Sequence, residues 1–390
     1  MARLREKLGH LARLGLERRL VETGDCRGAV ITVEGSACLN LSSNDYLGLA
    51  SDRELLREFY RLVDCDHAME RYGLGAASSR LLTGNRQIYT TLEERLAGLY
   101  GRKALVFNSG YHANIGILPA LSSRGDLVLA DKLCHASLID GMRLSRATVK
   151  RFRHADYEHL EKLLAAGRQG YANVFIVSES IFSMDGDRAD LARLLALKRE
   201  YDCYLYLDEA HAVGVYGDRG LGCAEESGVI DEVDILVGTL GKALASLGAF
   251  VITSETIREV LVNTMRSLIF TTALPPVNLA WSLFALDRVT AMTAERKRLS
   301  AAAQRLRREL AAAGLRCGGE SQIIPVIIGD AGKTTRIAAR LRDQGILLLP
   351  IRPPTVPDGT ARFRLSLSAA MHWDDLGQVP HLLSDAVAGV

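Results

Sequence analysis

Two apolar runs of the chain end in polar residues that could do chemistry. Asp208 and His211 follow the run Tyr204–Leu207. Lys242 follows the run Ile235–Val237 through a turn that contains two glycines. In open α/β sheets, ligands collect at the carboxyl ends of the strands. A lysine and a carboxylate at two such ends suit pyridoxal phosphate, which forms an imine with an amine and needs an anion to keep its pyridine nitrogen protonated. The pair predicts Lys242 as the Schiff-base lysine and Asp208 as the pyridine partner, although an aspartate that ends a strand can also be a simple turn residue.

Two further strand ends carry residues that could serve the same cofactor. Gly110 and Tyr111 follow the run Ala104–Phe107 and precede an apolar helical pattern. A glycine at a strand-to-helix turn presents backbone N–H groups and the positive end of the helix dipole to an anion. This turn is therefore either a phosphate site or a plain connection. His135 follows the run Leu127–Ala130, and it could stack on the pyridine ring or be an ordinary loop histidine.

These residues need a sheet to position them. The middle of the chain alternates short apolar runs with longer helical patterns such as Leu160–Ala166 and Leu191–Arg199. Strands that are buried on both faces and alternate with helices indicate an α/β domain with a mostly parallel sheet. The remaining runs that we interpret as strands of this sheet are Asp126–Ala130, Val174–Ser178 and Ala249–Ile252.

The length of the chain indicates more than one domain. Its 390 residues exceed the roughly 250–300 residues at which a single hydrophobic core stops growing. After about residue 285 the pattern changes to a long, charged, alanine-rich helix followed by a second set of apolar runs. We therefore predict an N-terminal arm over residues 1–44, a large cofactor-binding domain over 45–285 and a smaller C-terminal α+β domain over 286–390.

Composition and charge exclude several other classes of protein. The 48 Lys and Arg against 46 Asp and Glu leave a net charge of +2, which gives no electrostatic footprint for nucleic acid or an anionic membrane. No apolar run approaches the length of about 20 residues that spans a bilayer. The basic N-terminal stretch contains Glu6 and Glu17, which favours a solvated amphipathic helix over an acid-poor transit peptide. We expect a cytoplasmic protein that binds neither nucleic acid nor membrane.

The cysteines give no sign of a metal site. They are scattered, form no Cys-x-x-Cys pair and stand at positions 26, 38, 65, 134, 203, 223 and 317. Neither a disulfide framework nor a zinc site fits that spacing, and a reducing cytosol does. We interpret Cys134, beside His135, as a small buried apolar residue.

Two other functions can be weighed against a pyridoxal-phosphate enzyme. The segment Gly329–Thr334 ends like a phosphate-binding loop, but the glycine that such a loop needs at its start falls on Ile327. The segment is better interpreted as a turn that begins a helix. A catalytically silent scaffold could also keep the same fold. The presence of Lys242, Asp208 and His211 together argues against it.

Four segments of the chain resemble the α-oxoamine synthases. They are Asn108–Asn114, Ser180–Asp187, Asp208–Tyr216 and Gly238–Ser246, and the likeness extends from about Leu39 to Leu376. This family consists of pyridoxal-phosphate enzymes that condense an amino acid with an acyl thioester and release carbon dioxide. The resemblance implies the fold type I, aspartate-aminotransferase-like architecture, with a mostly parallel sheet in the large domain and a smaller C-terminal α+β domain.

Two more segments narrow the substrate within that family. Leu41–Leu49 and Ile351–Pro357 resemble the members that join L-alanine to a pimeloyl thioester in biotin synthesis. The acyl group would be carried by coenzyme A or by an acyl carrier protein. The alternative is a relative that uses glycine or serine with a different acyl-CoA. The resemblance also implies a homodimer, in which Thr271 or Thr272 reaches the phosphate of the cofactor in the other subunit; otherwise these threonines form a polar turn before two prolines.

The resemblance assigns roles to matching positions of this chain. Lys242 would hold the imine and move the α-proton, Asp208 would pair with the pyridine nitrogen, and His211 would contact the phenolic oxygen of the cofactor. His135 would stack on the ring and face the substrate, and Arg364 would bind the amino-acid carboxylate. Further cofactor contacts are implied for Gly110, Tyr111, Ser183 and Thr239. Residues implied around the acyl substrate or product are Arg18 (or the adjacent Arg19), Asn44, Glu179 and Thr355.

Overall fold

The structure, a computed structural model, describes residues 1–64 and 66–390, so Cys65 lies outside the described residues. The strands are β1 Thr23–Arg27, β2 Val30–Val33, β3 Ser36–Asn40, β4 Lys103–Phe107, β5 Leu127–Asp131, β6 Thr148–Phe152, β7 Val174–Glu179, β8 Tyr204–Asp208, β9 Ile235–Thr239, β10 Ala249–Thr253, β11 Ile323–Gly329, β12 Ile346–Leu347, β13 Pro350–Ile351 and β14 Ala361–Ser366. The helices are α1 Ala2–Arg13, α2 Arg53–Val63, α3 Asp66–Arg71, α4 Gln87–Tyr100, α5 Gly110–Leu121, α6 Ala136–Leu144, α7 Tyr157–Gly167, α8 Leu191–Glu200, α9 Cys223–Glu226, α10 Glu255–Thr264, α11 Arg266–Ile269, α12 Pro276–Ala291, α13 Thr293–Ala312, α14 Ala331–Asp343, α15 Trp373–Leu376 and α16 Val379–Ala388.

The chain divides into two compact units, and neither is continuous in sequence. The terminal unit comprises Met1–Asp52, Ser183–Asp187 and Lys297–Val390. The central unit comprises Arg53–Phe182 and Arg188–Arg296. The expected division into an arm, a large domain and a small C-terminal domain stays a prediction.

The central unit is built on a seven-stranded sheet with the order β4-β10-β9-β8-β7-β5-β6. Strands β9, β8, β7, β5 and β6 run parallel, while β10 is antiparallel to both of its neighbours. Every residue of β5, β7, β9 and β10 is buried, as in sheets covered on both faces. The expected mostly parallel sheet is confirmed. Strand β6 escaped prediction because it is an edge strand with an exposed, polar middle.

Helices α5 and α6 follow strands β4 and β5 and pack against each other. The close approach requires Gly141 on α6, because a Cβ there would lie 2.2 Å from the backbone oxygen of Asn114 on α5. It brings Ser137, one turn earlier on α6, within hydrogen-bonding distance of the Asn114 side chain. Both helices begin with a side-chain cap: the Ser109 hydroxyl caps α5, and the His135 ring caps α6. These caps satisfy N–H groups that have no partner within the helix.

The terminal unit contains two small sheets. In the first, β1, β2 and β3 are antiparallel and β12 adds to β3 in parallel. In the second, β14 lies between β11 and β13, antiparallel to both. Asp330 caps helix α14 by accepting the N–H of Lys333, which agrees with the interpretation of this segment as the start of a helix.

Two kinds of feature are not seen in residues 1–64 and 66–390. None of the helices there combines the length and the apolar character that crossing a bilayer requires. In the same residues, no three His, Cys, Asp or Glu side chains lie together in a way that could hold a metal ion. The cysteines of the described part are free thiols.

Candidate active site

Lys242 lies just beyond the carboxyl end of β9, in the turn that precedes β10. Its Nζ is 2.8 Å from Nε2 of His211, which is a hydrogen-bonding distance. His211 follows β8 and is buried, and Lys242 is half-buried. Thr239 organises the turn, because its hydroxyl donates to the carbonyl of Gly248 and accepts the N–H of Gly241. Adjacent ends of two parallel strands therefore bring the amine and the imidazole together.

Asp208 is the last residue of β8 and is only 5% exposed. Its Oδ2 accepts a hydrogen bond from Nδ2 of Asn114 at 2.8 Å, and its Oδ1 accepts the N–H of Ala210 at 2.9 Å. An ionised carboxylate has about four acceptor positions. These two donors hold the group in place and leave acceptor capacity for a further donor.

His135 lies just beyond the end of β5. Its Nδ1 accepts the backbone N–H of Ser137 at 3.2 Å and is 2.7 Å from the hydroxyl of the same serine. Desolvation lowers the pKa of the ring, although the residue as a whole is exposed. The backbone N–H of His135 donates to a side-chain oxygen of Glu179, which is buried at the end of β7. Burial, reinforced by the charge of Asp208, raises the pKa of Glu179 well above its ordinary value.

Glu209 is a second buried acid at this edge, and its side chain is inaccessible to solvent. It accepts the hydroxyl of Ser180 at 2.7 Å and the N–H groups of Cys223 and Ala224 at 3.0 and 2.8 Å. Burial outweighs these donors and raises the pKa of Glu209 to about 7. The residue thereby ties the turn that follows β8 to the start of helix α9.

The beginning of α5 presents backbone N–H groups. Gly110 is the first residue of this helix, and the first N–H groups of a helix attract anions. Tyr111 is 47% exposed, and its hydroxyl donates to Oδ2 of Asp140 at 2.7 Å. Gly110 therefore lies where a phosphate could be bound through the main chain.

The threonine pair expected at a subunit interface lies near this turn within the same chain. The side-chain amide of Asn108 donates to the backbone oxygen of Thr272 at 2.7 Å. Thr272 is exposed and Thr271 is half-buried. The reach of either hydroxyl into another subunit stays a prediction.

Arg364, in the middle of β14, is a buried cation of the terminal unit. Its guanidinium donates to the carbonyl of Ser183, to Oδ1 of Asn44 at 3.0 and 3.1 Å, and to the hydroxyl of Tyr46 at 3.1 Å. Each of these acceptors is a neutral oxygen. In the part of the chain that the structure describes, no carboxylate accepts a hydrogen bond from the Arg364 guanidinium. A buried charge is costly without an opposite charge, so Arg364 is a candidate for binding an anion.

Two candidates for the acyl end of the substrate meet in the same unit. Nη2 of Arg18 donates to the hydroxyl of Thr355 at 3.0 Å. The neighbouring Arg19 instead pairs with Glu17 at 3.4 Å and is largely exposed. The guanidinium of Arg352 donates to backbone oxygens of the N-terminal segment, including that of Glu17. The contact with Thr355 distinguishes Arg18 from its neighbour.

The predicted residues are divided between the two units, and the structure shows contacts among some of them. The central group comprises Lys242, Asp208, His211, His135, Glu179, Thr239, Gly110 and Tyr111. In the terminal unit, Arg364 contacts Asn44 and Ser183, and Arg18 and Thr355 form a separate contact. Sequence reasoning gave no role to Asn114, Ser137, Tyr206 or Glu209, which support the central group. The sequence shows that Glu209 follows Asp208, but it does not show that the carboxylate of Glu209 is buried.

The central group fits pyridoxal phosphate. Lys242 supplies an amine, and Asp208 has acceptor capacity for a protonated pyridine nitrogen. His211 supplies a hydrogen-bonding ring beside the amine. The start of α5 supplies main-chain donors of the kind that bind phosphate.

Comparison with protein families gives a match to "Aminotransferase class I and II" over residues 36–380. A curated relative, the 8-amino-7-oxononanoate synthase of Chlorobaculum parvum, is 56% identical over 353 residues, which make up 90% of this chain and 90% of the relative.

Solved structures give a consistent result. The serine palmitoyltransferase of Sphingomonas wittichii has a TM-score of 0.91 and 28% identity, over 100% of this chain and 97% of its own. A chain described as SPT with PLP also has a TM-score of 0.91 and 28% identity, over 99% of this chain and 98% of its own.

Proposed function

This chain belongs to the family of class I and II aminotransferases and is a pyridoxal-phosphate-dependent acyltransferase, and on that premise we propose that it forms 8-amino-7-oxononanoate from L-alanine and a pimeloyl thioester. A bond forms between the α-carbon of alanine and the thioester carbonyl carbon. The C–S bond and the bond to the alanine carboxylate break, so that the free thiol carrier and carbon dioxide leave. One observation carries the proposal. The amine of Lys242 lies beside His211 just beyond the end of β9, and the neighbouring strand β8 ends at Asp208.

Lys242 is proposed to move the α-proton of alanine. Bound pyridoxal phosphate supplies an electron sink for the charge left on the α-carbon. The Nζ of Lys242 takes that proton and returns one after the new bond has formed, and positioned acid–base catalysis of this kind contributes about 10²–10⁴-fold. His211, at 2.8 Å, orients the amine.

Asp208 is proposed to keep the pyridine nitrogen of the cofactor protonated, so that the ring can act as an electron sink. Its carboxylate is held by Asn114 and Ala210 and would accept a charge-assisted hydrogen bond from the N–H of the pyridine nitrogen, which keeps its proton. His135 would cover the ring, and the N–H groups at the start of α5 would bind the phosphate. Tyr111, Thr239 and Ser183 complete the proposed contacts with the cofactor.

Arg364 is proposed to bind the carboxylate of alanine. A substrate carboxylate would provide the negative charge that its neutral partners lack, and a bidentate pair also fixes orientation. Arg364→Leu should raise the alanine concentration needed for half-maximal rate by more than about tenfold, since charge-assisted hydrogen bonds contribute about 1.5–3 kcal/mol each. Lysine should be a poor substitute because it lacks the planar fork. If alanine titrates the cofactor spectrum equally well in Arg364→Leu, the anchor lies elsewhere.

Arg18, Asn44, Glu179 and Thr355 are proposed to surround the acyl substrate or the product. The Arg18–Thr355 hydrogen bond favours this role for Arg18 over Arg19. The buried position of Glu179 and its bond to the main chain of His135 favour an indirect role for that residue. Arg18→Ala should weaken the use of the acyl donor, and Arg19→Ala is the matched control that should not.

A panel of substrates tests the proposed reaction directly. Alanine, glycine and serine would each be offered with thioesters of different chain length, on coenzyme A and on acyl carrier protein, and the products would be weighed by mass spectrometry. The expected product comes from alanine and a pimeloyl group. The likeness to a serine palmitoyltransferase makes serine with a long acyl chain the second candidate, and a preference for that pair would replace the proposal.

We also propose that the enzyme is a homodimer, with Thr271 or Thr272 contacting the cofactor phosphate of the other subunit. Dilution should then release cofactor as dimers separate, and added pyridoxal phosphate should restore them by mass action. Sedimentation velocity, detected at the absorbance of the bound cofactor, would follow the release of cofactor and the recovery of dimers. It would be run on the wild type, Thr271→Val and Thr272→Val. A monomer that keeps its cofactor and full activity would contradict the proposal.

A further inference from the structure

A buried chain of hydrogen bonds joins Asp208 to His135. Nδ2 of Asn114 donates to Oδ2 of Asp208 at 2.8 Å and to Oγ of Ser137 at 2.9 Å. That hydroxyl is 2.7 Å from Nδ1 of His135. The hydroxyl of Tyr206 donates to Oδ1 of Asn114 at 2.7 Å. The three linking residues are at most 2% exposed, so water does not compete for these bonds.

The hydrogen bonds of this chain can run in only one direction. An ionised carboxylate only accepts, so the side of Asn114 that faces Asp208 is its NH₂ group. The same NH₂ group donates to the Ser137 oxygen, which leaves the serine proton free to point at His135. The backbone N–H of Ser137, which can only donate, also points at Nδ1 of His135. Nδ1 therefore faces two donors and cannot carry a proton.

We propose that Asn114 and Ser137 are positioning residues that hold His135 as a neutral imidazole with its proton on Nε2. Protonation of Nδ1 would set N–H against N–H and would force the serine hydroxyl to turn away. Because Asn114 also holds Asp208, one side chain positions both the acid that binds the pyridine nitrogen and the ring that covers it.

This arrangement suits the neighbours of His135. The charged or titratable groups around it are Asp208 at the end of β8, Lys242 after β9, Asp140 on α6 and Glu179 at the end of β7. Asp208 and Asp140 favour a charged imidazole, while desolvation and Lys242 oppose it. A protonated ring stacked on a protonated pyridine would place like charges in contact. A neutral ring avoids that repulsion and keeps an N–H on Nε2 for donation. This consequence rests on the proposed function, whereas the tautomer follows from the hydrogen bonds alone.

Long-range proton–nitrogen NMR of the holoenzyme with isotope-labelled histidine measures the tautomer without any substrate. The spectrum of His135→Gln identifies the signals of His135 among the nine histidines. The expected result for the wild type is one protonated nitrogen, Nε2, between about pH 6.5 and 8.5, a range that starts at the ordinary histidine pKa and extends about two units above it. A ring protonated on Nδ1, or a charged ring at about pH 7.5, would overturn the proposal without recourse to any variant.

Ser137→Ala and Asn114→Ala test the two links. Each should increase the ratio of other forms of His135 to the Nε2–H form by about tenfold, the equivalent of one lost hydrogen bond. The matched controls are Ser145→Ala, whose hydroxyl bonds the carbonyl of Met142 at the other end of α6, and Asn173→Ala. Neither control should change the His135 signals. An unchanged tautomer ratio in folded Ser137→Ala would also overturn the proposal.

The two proposals can fail separately. The spectra need neither alanine nor thioester, so a wrong assignment of the substrate leaves their result intact. A wrong tautomer, in turn, leaves the product assay unaffected.

Discussion

The two ends of the central sheet each hold a buried aspartate bound by an asparagine, and the surroundings of the two pairs differ. At the amino end, Asp126 precedes β5 and accepts the side chain of Asn173 at 2.8 Å. At the carboxyl end, Asp208 closes β8 and accepts the side chain of Asn114, also at 2.8 Å. The exposed fractions of the two aspartates are similar, 3% and 5%. Residue type, distance and burial therefore do not distinguish the pair that we propose for catalysis.

The remaining hydrogen bonds distinguish them. Asp126 also accepts the backbone N–H of Asn173 and the N–H and hydroxyl of Ser123. Although burial acts to raise it, these bonds lower the pKa of Asp126 overall. Asp208 accepts one other donor, Ala210, and its asparagine continues toward Ser137.

The acids near Asp208 also behave differently from Asp126. Burial raises the pKa of Glu179 and Glu209, the latter to about 7. Perturbed pKa values cluster at functional sites, so the raised values at this end are consistent with the proposed catalytic role. The two ends of one sheet thus separate a structural use of carboxylates from a proposed catalytic use.

The largest expected effect is that of Lys242→Ala at the carboxyl end. Turnover and the visible absorbance of the lysine-linked cofactor should both disappear, because the variant has no amine beside His211. The matched control at the amino end is Lys198→Ala, whose Nζ is 3.0 Å from Asp234. That variant should lose stability and keep its absorbance. Activity that survives in Lys242→Ala would remove the basis of the cofactor assignment.

Substituting the two aspartates should separate activity from stability. Asp208→Asn should bind cofactor but slow the exchange of the alanine α-proton in deuterium oxide by about a hundredfold or more, because a neutral amide cannot keep the pyridine nitrogen protonated. Asp126→Asn should exchange the proton at the normal rate and lose about 1.5–3 kcal/mol of unfolding free energy, the contribution of a hydrogen bond to a charged group. Urea unfolding measures the second quantity. Equal exchange rates in the two variants would contradict the comparison.

The pH dependence of stability should have opposite signs at the two ends. Glu209 has a folded pKa of about 7 against an ordinary value of 4.5, so its contribution is fully present below 4.5 and is lost as the pH rises to about 7. Asp126 has a lowered folded pKa, so its contribution is present above the ordinary value of 3.8 and is lost as the pH falls.

Glu209→Gln and Asp126→Asn isolate these two contributions. The first should flatten the stability profile between about pH 4.5 and 7, and the second should flatten it below about pH 4. One proton contributes a slope of at most about 1.4 kcal/mol per pH unit. Urea unfolding of each variant and the wild type, at matched pH and saturating cofactor, measures the differences. A Glu209→Gln profile parallel to the wild type would show that Glu209 is charged in the folded protein.

The residues at the strand ends could be predicted from the sequence, whereas the side chains that connect them by hydrogen bonds could not. Lys242 and Asp208 stand out because each follows an apolar run that is typical of a buried strand. Arg364 was assigned through resemblance, since nothing local marks an arginine within a buried strand as a binding residue. Asn114 and Ser137 meet only because Gly141 lets α6 approach α5. That contact joins residues 23 positions apart, and neither helical spacing nor propensity encodes it.

The smallest expected effect on activity is that of Tyr206→Phe. Its hydroxyl donates to Oδ1 of Asn114 at 2.7 Å, so the variant leaves a buried acceptor without that donor, which costs about 1–3 kcal/mol of stability. Tyr100→Phe is the matched control, because Tyr100 is also buried and its hydroxyl donates to the carbonyl of Leu221 at 2.9 Å. Both variants should lose similar stability in urea. Only Tyr206→Phe should also slow α-proton exchange, by a few-fold, because Asn114 then holds Asp208 and Ser137 less firmly. If the two variants exchange the proton equally fast, the hydrogen bonds around Asn114 contribute to folding and not to the chemistry at the carboxyl end of the sheet.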